Sequence, residues 1–517
     1  MQYINRYYSK NKVLRKHISW YSVVFILAFV SYAHANDTEI PSLFTSIFSK
    51  NEAVINTAIP DGYQDVAINT VLLRTENRGP GRIRIDFLNQ SIIARRLKFV
   101  PGPKGSFAWI GKPENITGSV ILSVCDDTLF GLIELREETY KIEPVRGTNT
   151  HRIFRLDLYE SAPVDYGGVI PPEYELQGKT GIMPYISQGR DDGTFFDVFV
   201  LYTKGFAEAY PGDELYAQIS YLMGVANTCY SNSVVNLTAR VVGLREVDYT
   251  DGGMLADALN DLTSGKGVFF DVPTLRNQSG ADLVTLLRVF TETNDVCGLA
   301  WQMTSLSNSF ERYAYSVVQV GRISFVGGFK FCTDQTLAHE MGHNMGCAHE
   351  DGSGAVFNYS RGHVFPPYMS VMAITGRTRV SHFSNPDVSY EGLITGTNDA
   401  NNARSITRAK LTVSRFRDSK CPGSIIVTPD KLFLNREETS EITITVTGEY
   451  NYPVEGKAVM AKVNTEGKKR IAVLPSSSTT DSNGQATFTI TAGKKKGNAK
   501  VKFKVDCLKK SATVKVQ

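Results

Sequence analysis

The chain has 517 residues, 42% of them hydrophobic and 21% charged, with a formal net charge of +4. That length excludes a fold built on one ordinary core, so about two to four domains are expected. The composition is that of an ordinary globular protein, and the small net charge argues for no particular partner.

Residues 1–35 read as a secretory signal peptide. Arg6, Lys10, Lys12, Arg15 and Lys16 make a basic start, Trp20 to Tyr32 an apolar run, and Ala33-His34-Ala35 an A-x-A cleavage pattern. The apolar run is short for a membrane span of about 20 residues, and no later segment is apolar enough to cross a bilayer. The first cysteine is Cys125, so a lipid-anchored N-terminus is not expected. The mature protein is expected to be exported and soluble, hence secreted or extracellular, with no transmembrane segment.

Residues 36–190 read as a β-rich domain and linker. Short apolar or alternating runs at Val66 to Leu73, Arg82 to Leu88, Val120 to Val124, Leu129 to Leu135, Tyr140 to Pro144 and His151 to Leu158 are separated by Gly, Pro and Asn clusters. The stretch from Glu160 to Arg190, with Pro163, Pro171, Pro172 and Pro184, reads as a linker.

Residues 191–420 alternate strand and helix signals. A buried-strand run at Phe195 (FFDVFVLYT) is followed by helical spacing over Leu215 to Val225, a strand over Leu237 to Val242, a helix over Met254 to Leu262 and a strand at 281–290. That alternation predicts an α/β domain with a largely parallel sheet. A further helix is predicted across His339, capped by Asp334 or Thr336 and ended by Gly346.

Residues 421–517 change character, with strictly alternating strands at 441–448, 486–493, 499–505 and 512–517. They predict an all-β, Ig-like sandwich. From 424 onward there are 16 Lys and Arg against 9 Asp and Glu, a net +7 that leaves −3 for the rest. A lysine-rich solvated strand face explains this, because lysines there also resist edge pairing; contact with an anionic surface polymer or nucleic acid is the alternative.

The stretch His339 to Glu350 reads HEMGHNMGCAHE, and holds three of the chain's 8 histidines. On a helix, residues i and i+4 share a face, so His339 and His343 can reach one metal ion. Glu340 points elsewhere and can accept a proton from a water activated by that metal. Gly346 permits a sharp turn that returns His349 to the same ion. Three imidazoles with one open position are the pattern of a catalytic zinc site. Five positions fixed at these spacings make chance a poor explanation.

At these residues the sequence resembles the metzincin zinc peptidases, in their reprolysin-like (adamalysin-related) bacterial branch. The resemblance covers about Phe195 to Arg417. It implies a metzincin-like catalytic domain that binds one zinc ion through His339, His343 and His349, with Glu340 as general base. It also implies a methionine-containing turn downstream: YMSVMA at 368–373 offers Met372, 23 residues after His349, with Met369 as runner-up. Structural calcium fits the resemblance, although no calcium loop is visible. Two departures are Glu350, where such proteins usually carry Asp, and the absence of a following cysteine-rich or disintegrin-like region. YPVEGK (452–457), TTDSNGQATFTITAGKKKGNAKVKF (479–503) and KKSATVKV instead resemble bacterial Ig-like repeats of surface proteins.

The expected function is a secreted zinc endopeptidase acting on proteins or peptides, with an N-terminal prodomain. CGLAWQM (297–303) or AYSVVQV (314–320) would supply an edge strand for extended substrate. Cys125 could block the zinc as an inhibitory thiolate, but it ends a strand-like run where a buried, inert cysteine is more usual. Cys297 with Cys332 and Cys421 with Cys507 are the preferred pairings among the seven cysteines. Cleavage of the prodomain near Arg190 is a further expectation. Two other classes fit the same residues: a surface adhesin with a protease-like scaffold, and a zinc hydrolase of a non-protein amide. No specific nucleic-acid partner is expected; contact with a cell surface or extracellular matrix would fall to the Ig-like domain.

Overall fold

The computed structural model describes residues 40–45, 63–74, 81–156, 168–171 and 191–517, apart from 137, 292, 294–295, 326–327, 376–377, 420–423, 448–452, 455–456, 482 and 506–507. The signal peptide, most of the 160–190 linker with Arg190, and the Cys421–Cys507 pairing lie outside the described residues.

The first region is one antiparallel sheet. Its strands are β1 (Phe44–Thr45), β2 (Tyr63–Ile68), β3 (Arg82–Phe87), β4 (Gln90–Pro101), β5 (Phe107–Pro113), β6 (Gly118–Cys125), β7 (Thr128–Leu135), β8 (Glu138–Pro144) and β9 (His151–Leu156). They run in the order β1-β2-β9-β8-β7-β6-β5-β4-β3. The expected strand from Val66 to Leu73 is half wrong. Its chain leaves β2 at Ile68 and turns into helix α1 (Thr70–Arg74), because the Asn69 side chain accepts from Leu72 N at 3.2 Å in the manner of a helix cap. Strands β4 and β5 were not foreseen, since Arg95, Arg96 and Lys98 break up the apolar signal of β4.

One face of this sheet has a core of its own, with Val120, Leu122, Val124, Leu129 and Ile133 among its members. The opposite face carries Ile121, Phe130 and Leu132, and these belong to the core of the central domain. Strands β6 and β7 are therefore buried on both sides, which is why SVILSVC and TLFGLIEL read as near-continuous apolar runs.

The central domain alternates strands and helices as expected. Strand β10 (Phe195–Thr203) is followed by α2 (Lys204–Ala209), α3 (Asp213–Asn232), β11 (Thr238–Val247), α4 (Leu255–Ser264), α5 (Val272–Ser279) and β12 (Leu283–Val289). Then come β13 (Gly298–Ala300), β14 (Tyr315–Val320), α6 (Thr336–Asn344) and α7 (Asn402–Val413). The sheet order is β11-β10-β12-β14-β13, parallel except for β13, which lies antiparallel to β14 at one edge. Of the two runs expected to supply an edge, 297–303 therefore contains the edge strand, and 314–320 lies inside the sheet. Cys297 and Cys332 form a disulfide, as expected.

The C-terminal region packs two sheets face to face. One holds Ser424–Thr428, Thr439–Thr447, Gln485–Ala492 and Ile471–Leu474; the other holds Lys431–Leu434, Leu508–Val516, Gly497–Val505, Ala458–Val463 and Ser477–Thr479. Every second residue of Gln485–Ala492 is buried, as one-sided strands require. Ile442, Ile444, Phe488, Ile490, Val501, Phe503 and Val514 fill a core that draws only on this region.

Candidate metal centre

Helix α6 presents the histidines. Its start differs from expectation: Gln335 occupies the N-cap and makes no side-chain cap, so neither Asp334 nor Thr336 serves. The Asp334 carboxylate is drawn away by stronger partners, accepting from Lys141 Nζ at 3.0 Å and from the Tyr221 hydroxyl at 2.8 Å. The helix end is as expected. Gly346 has φ +82°, and its N–H donates to His343 O at 3.0 Å while Cys347 N donates to Gly342 O at 2.9 Å. That reciprocal pair is the left-handed helix stop that favours glycine. Past it, Ala348 N donates to Ser360 O at 2.8 Å and Gly362 N to Ala348 O at 3.0 Å, fixing the strand that carries His349 back.

The three ring nitrogens converge. His339 Nε2 lies 3.1 Å from His343 Nε2 and 3.0 Å from His349 Nε2. His339 Nδ1 is 2.8 Å from Val371 O, and His343 Nδ1 is 2.9 Å from Cys347 O. A carbonyl only accepts, so each Nδ1 carries the proton and each Nε2 turns a lone pair inward. Burial first, then His349 and Arg379, hold the His339 imidazole well below its usual pKa, which keeps it neutral. Facing lone pairs at these distances repel unless a cation lies between them. On a tetrahedral ion with ~2.0–2.1 Å bonds, ligand nitrogens stand about 3.3 Å apart, so the donor set fits zinc.

Glu340 is fully buried. Its carboxylate lies against the edge strand, since a methyl group built on Gly298 would come within 2.7 Å of Glu340 Cδ. Met372 is fully buried beneath the helix, where a methyl group on Gly342 would meet its sulfur at 2.5 Å. Its neighbour Val371 supplies the carbonyl that orients His339. Met369 lies elsewhere, in a two-residue strand, Tyr368–Met369. Glu350 Oε2 accepts from Ile374 N at 3.1 Å, which ties the third histidine's loop to the methionine turn. The departure from Asp thus leaves that link in place.

Several residues at the site escaped the sequence reading. Gly298 makes room for Glu340. The Asn344 amide donates to Trp301 O at 2.8 Å and Tyr315 O at 3.2 Å, locking α6 to the edge of the sheet. Most unexpectedly, the piece 168–171 of the supposed linker lies on the site. Val169 N donates to Ala300 O at 2.9 Å, Gln302 N donates to Val169 O at 2.8 Å, and the pairing with Trp301 is parallel. A methyl group on Gly168 would lie 2.7 Å from both His343 Nδ1 and Gln302 Oε1. A glycine there is the only signal, and Gly167-Gly168 looked like ordinary linker.

Cys125 is not brought to the histidines. It is buried in the core shared with α3, its sulfur 3.8 Å from Asp213 Oδ1. Among the described residues, the clusters able to hold a metal are the three histidines and the group Cys125, Asp126 and Asp213. Neither is an all-oxygen cage of calcium type.

The match to known proteins falls on the same residues. Residues 193–384 match the family model for metallo-peptidase family M12, and residues 420–517 match that for invasin, domain 3. The central domain is thus the part of the chain that is similar to M12 metallopeptidases. Over 375 residues the chain is 25% identical to a peptidyl-Asp metalloendopeptidase of Stenotrophomonas maltophilia (strain R551-3), covering 65% of this chain and 83% of the relative. A peptidyl-Asp metalloendopeptidase from strain K279a is 24% identical over 367 residues, with the same coverage of 65% and 83%. The solved structure of the Yersinia pseudotuberculosis adhesin InvE is 26% identical over 18% of this chain and 25% of that one, with a TM-score of 0.15. Among the described residues, no helix of the chain is long and apolar enough to cross a membrane.

Proposed function

We propose that the chain is a secreted zinc endopeptidase of metzincin type, made in a latent form. The observation that carries this reading is the convergence of three histidine ring nitrogens along α6 and its return loop, with His339 Nε2 within 3.1 Å of each of the other two, beside a buried glutamate. His339, His343 and His349 would hold the ion, and Met372 would support it from below. Bound there, zinc supplies Lewis-acid polarisation of the scissile carbonyl and makes water acidic enough to attack near neutral pH. Glu340 takes the proton of the attacking water on its carboxylate and passes it to the leaving amine nitrogen. Once residues 168–171 are displaced, the outer edge of β13 would bind extended substrate through its backbone, as it binds Val169.

Latency falls to residues 168–171 rather than to a thiol. They occupy the edge strand that substrate needs, and Gly168 closes the approach over His343. The relatives' activity suggests an acidic residue in the preferred substrate. The buried guanidinium of Arg379, which donates to Thr333 Oγ1 and Ala373 O at 3.0 Å each, lines a cavity of about 700 Å³ and is the candidate cation for it. The invasin-like domain would hold the enzyme near a surface.

The test is cleavage of casein by the chain freed of residues 168–171, beside Glu340→Ala and a zinc chelator. Loss of about 10²–10⁴-fold in Glu340→Ala with zinc still bound supports the base. A zinc-loaded, unblocked chain that cleaves no protein would sink the peptidase reading, and cell-wall amides would be assayed next.

A further inference from the structure

Beyond its first turn, helix α3 has no solvent face until its last two residues. Every residue from Ala217 to Tyr230 is buried, polar Gln218, Ser220, Asn227 and Thr228 included. A surface helix covers only one stripe, so all-round burial means a wall on each side. The central sheet supplies one wall. The other comes from the N-terminal sheet, and the approach is close: a methyl group on Gly224 would meet Ala108 Cβ at 2.9 Å and Ile121 Cγ2 at 3.1 Å. Ile121, Phe130 and Leu132 share a core with Tyr221, Leu222 and Val225.

Polar contacts knit the same seam. Ser123 Oγ donates to Ala217 O at 2.8 Å, and Ser106 Oγ lies 2.7 Å from Ser220 Oγ. Lys141 pairs with Asp334 at 3.0 Å, directly before the helix that carries the histidines. Ser381 Oγ donates to the buried Glu134 carboxylate at 2.8 Å, and the Tyr390 hydroxyl to Arg136 O at 2.6 Å. Separating the sheet would bare an apolar helix face, take Lys141 from Asp334 and take Ser381 from the buried Glu134 carboxyl.

We infer that the N-terminal sheet is a permanent wall of the peptidase domain. It remains bound when the connection between them is cut, and only the stretch around Gly168 leaves on activation. Inhibition and structural support are thus separate parts of one N-terminal region. The retention is independent of the proposed activity; only the activation clause rests on that reading.

The experiment places recognition sequences for a site-specific protease in segments 157–167 and 172–190 of the full chain. Both are cut, and the products are run on a sizing column. The expected result is a single species in which the fragments ending before 168 and starting after 171 co-elute, with casein cleavage appearing after the cuts. Lys141→Ala should leave the uncut chain folded and speed separation of the cut pair by about 10-fold or more. Elution of a separate N-terminal fragment from a soluble, folded remainder would overturn the inference. The doubly cut Glu340→Ala chain distinguishes the two readings. Co-elution there, with no activity in cut wild type, would keep the wall and remove the peptidase.

Discussion

The two β regions at the ends of the chain are built on opposite plans. The C-terminal sandwich closes on itself: its inward residues, from Ile442 to Val514, meet only one another. The N-terminal sheet is apolar on both faces. Val120 and Leu122 pack on one face, while Ile121 and Leu132 on the other enter the core of the peptidase domain. Strand content is therefore no guide to independence. The guide is whether apolar residues fall on one face of each strand or on both.

The largest break in that comparison should come from deletion. Removing residues 424–517 is expected to leave a soluble peptidase that still cleaves casein once unblocked. Removing residues 36–160 should leave α3 bare and the product aggregated, as read from soluble yield. A sharper pair is Ile121→Asp against Ile444→Asp, both fully buried in the native chain. Each buries an unpaired carboxylate, at a cost of several kcal/mol. Calorimetry should show the first abolishing the main unfolding transition with activity, and the second removing only the sandwich's own transition. Milder truncation should follow the same division. Leu132→Ala is expected to cost about 2–5 kcal/mol and lower the stability of the peptidase domain, whereas Ile490→Ala lowers only that of the sandwich.

A pH test separates the regions more gently. His151 in β9 is buried and accepts from Leu129 N at 3.0 Å, which requires a neutral ring. Burial lowers its pKa to about 4. A depressed histidine leaves stability intact above its unfolded pKa of ~6.5 and erodes it as pH falls toward 4. About 3 kcal/mol should be lost across that window. His151→Gln can keep an acceptor but cannot titrate, so urea midpoints for the variant should fall less over the same range. The sandwich transition should show no His151-dependent change.

What the sequence made legible follows from how local each signal is. The three histidines proposed as metal ligands sit within eleven residues on one helix and its turn, so spacing alone predicted their convergence. The alternating strands of the sandwich were equally plain. The helix cap was misread because Asp334 answers to Lys141, 193 residues away in sequence. Residues 168–171 looked like linker because their pairing with Trp301 spans more than a hundred residues and leaves no periodicity. Yet the unbroken apolar runs of β6 and β7 and the stripe-free helix LYAQISYLMGVANTCY were visible. Together they called for a two-sided contact that reading each domain separately could not supply.

The Cys297–Cys332 bridge has a bearing on where the protein can work. One sulfur stands directly before the strand that would grip substrate, and the other stands shortly before the metal-bearing helix. The bridge turns these two halves of the catalytic cleft into a single ring. In a reducing cytosol that ring stays open, and the halves are held by packing and hydrogen bonds alone. Crossing into an oxidising compartment fastens them. Under the proposed export, the bridge would complete the proposed catalytic site only after the chain has left the cytosol.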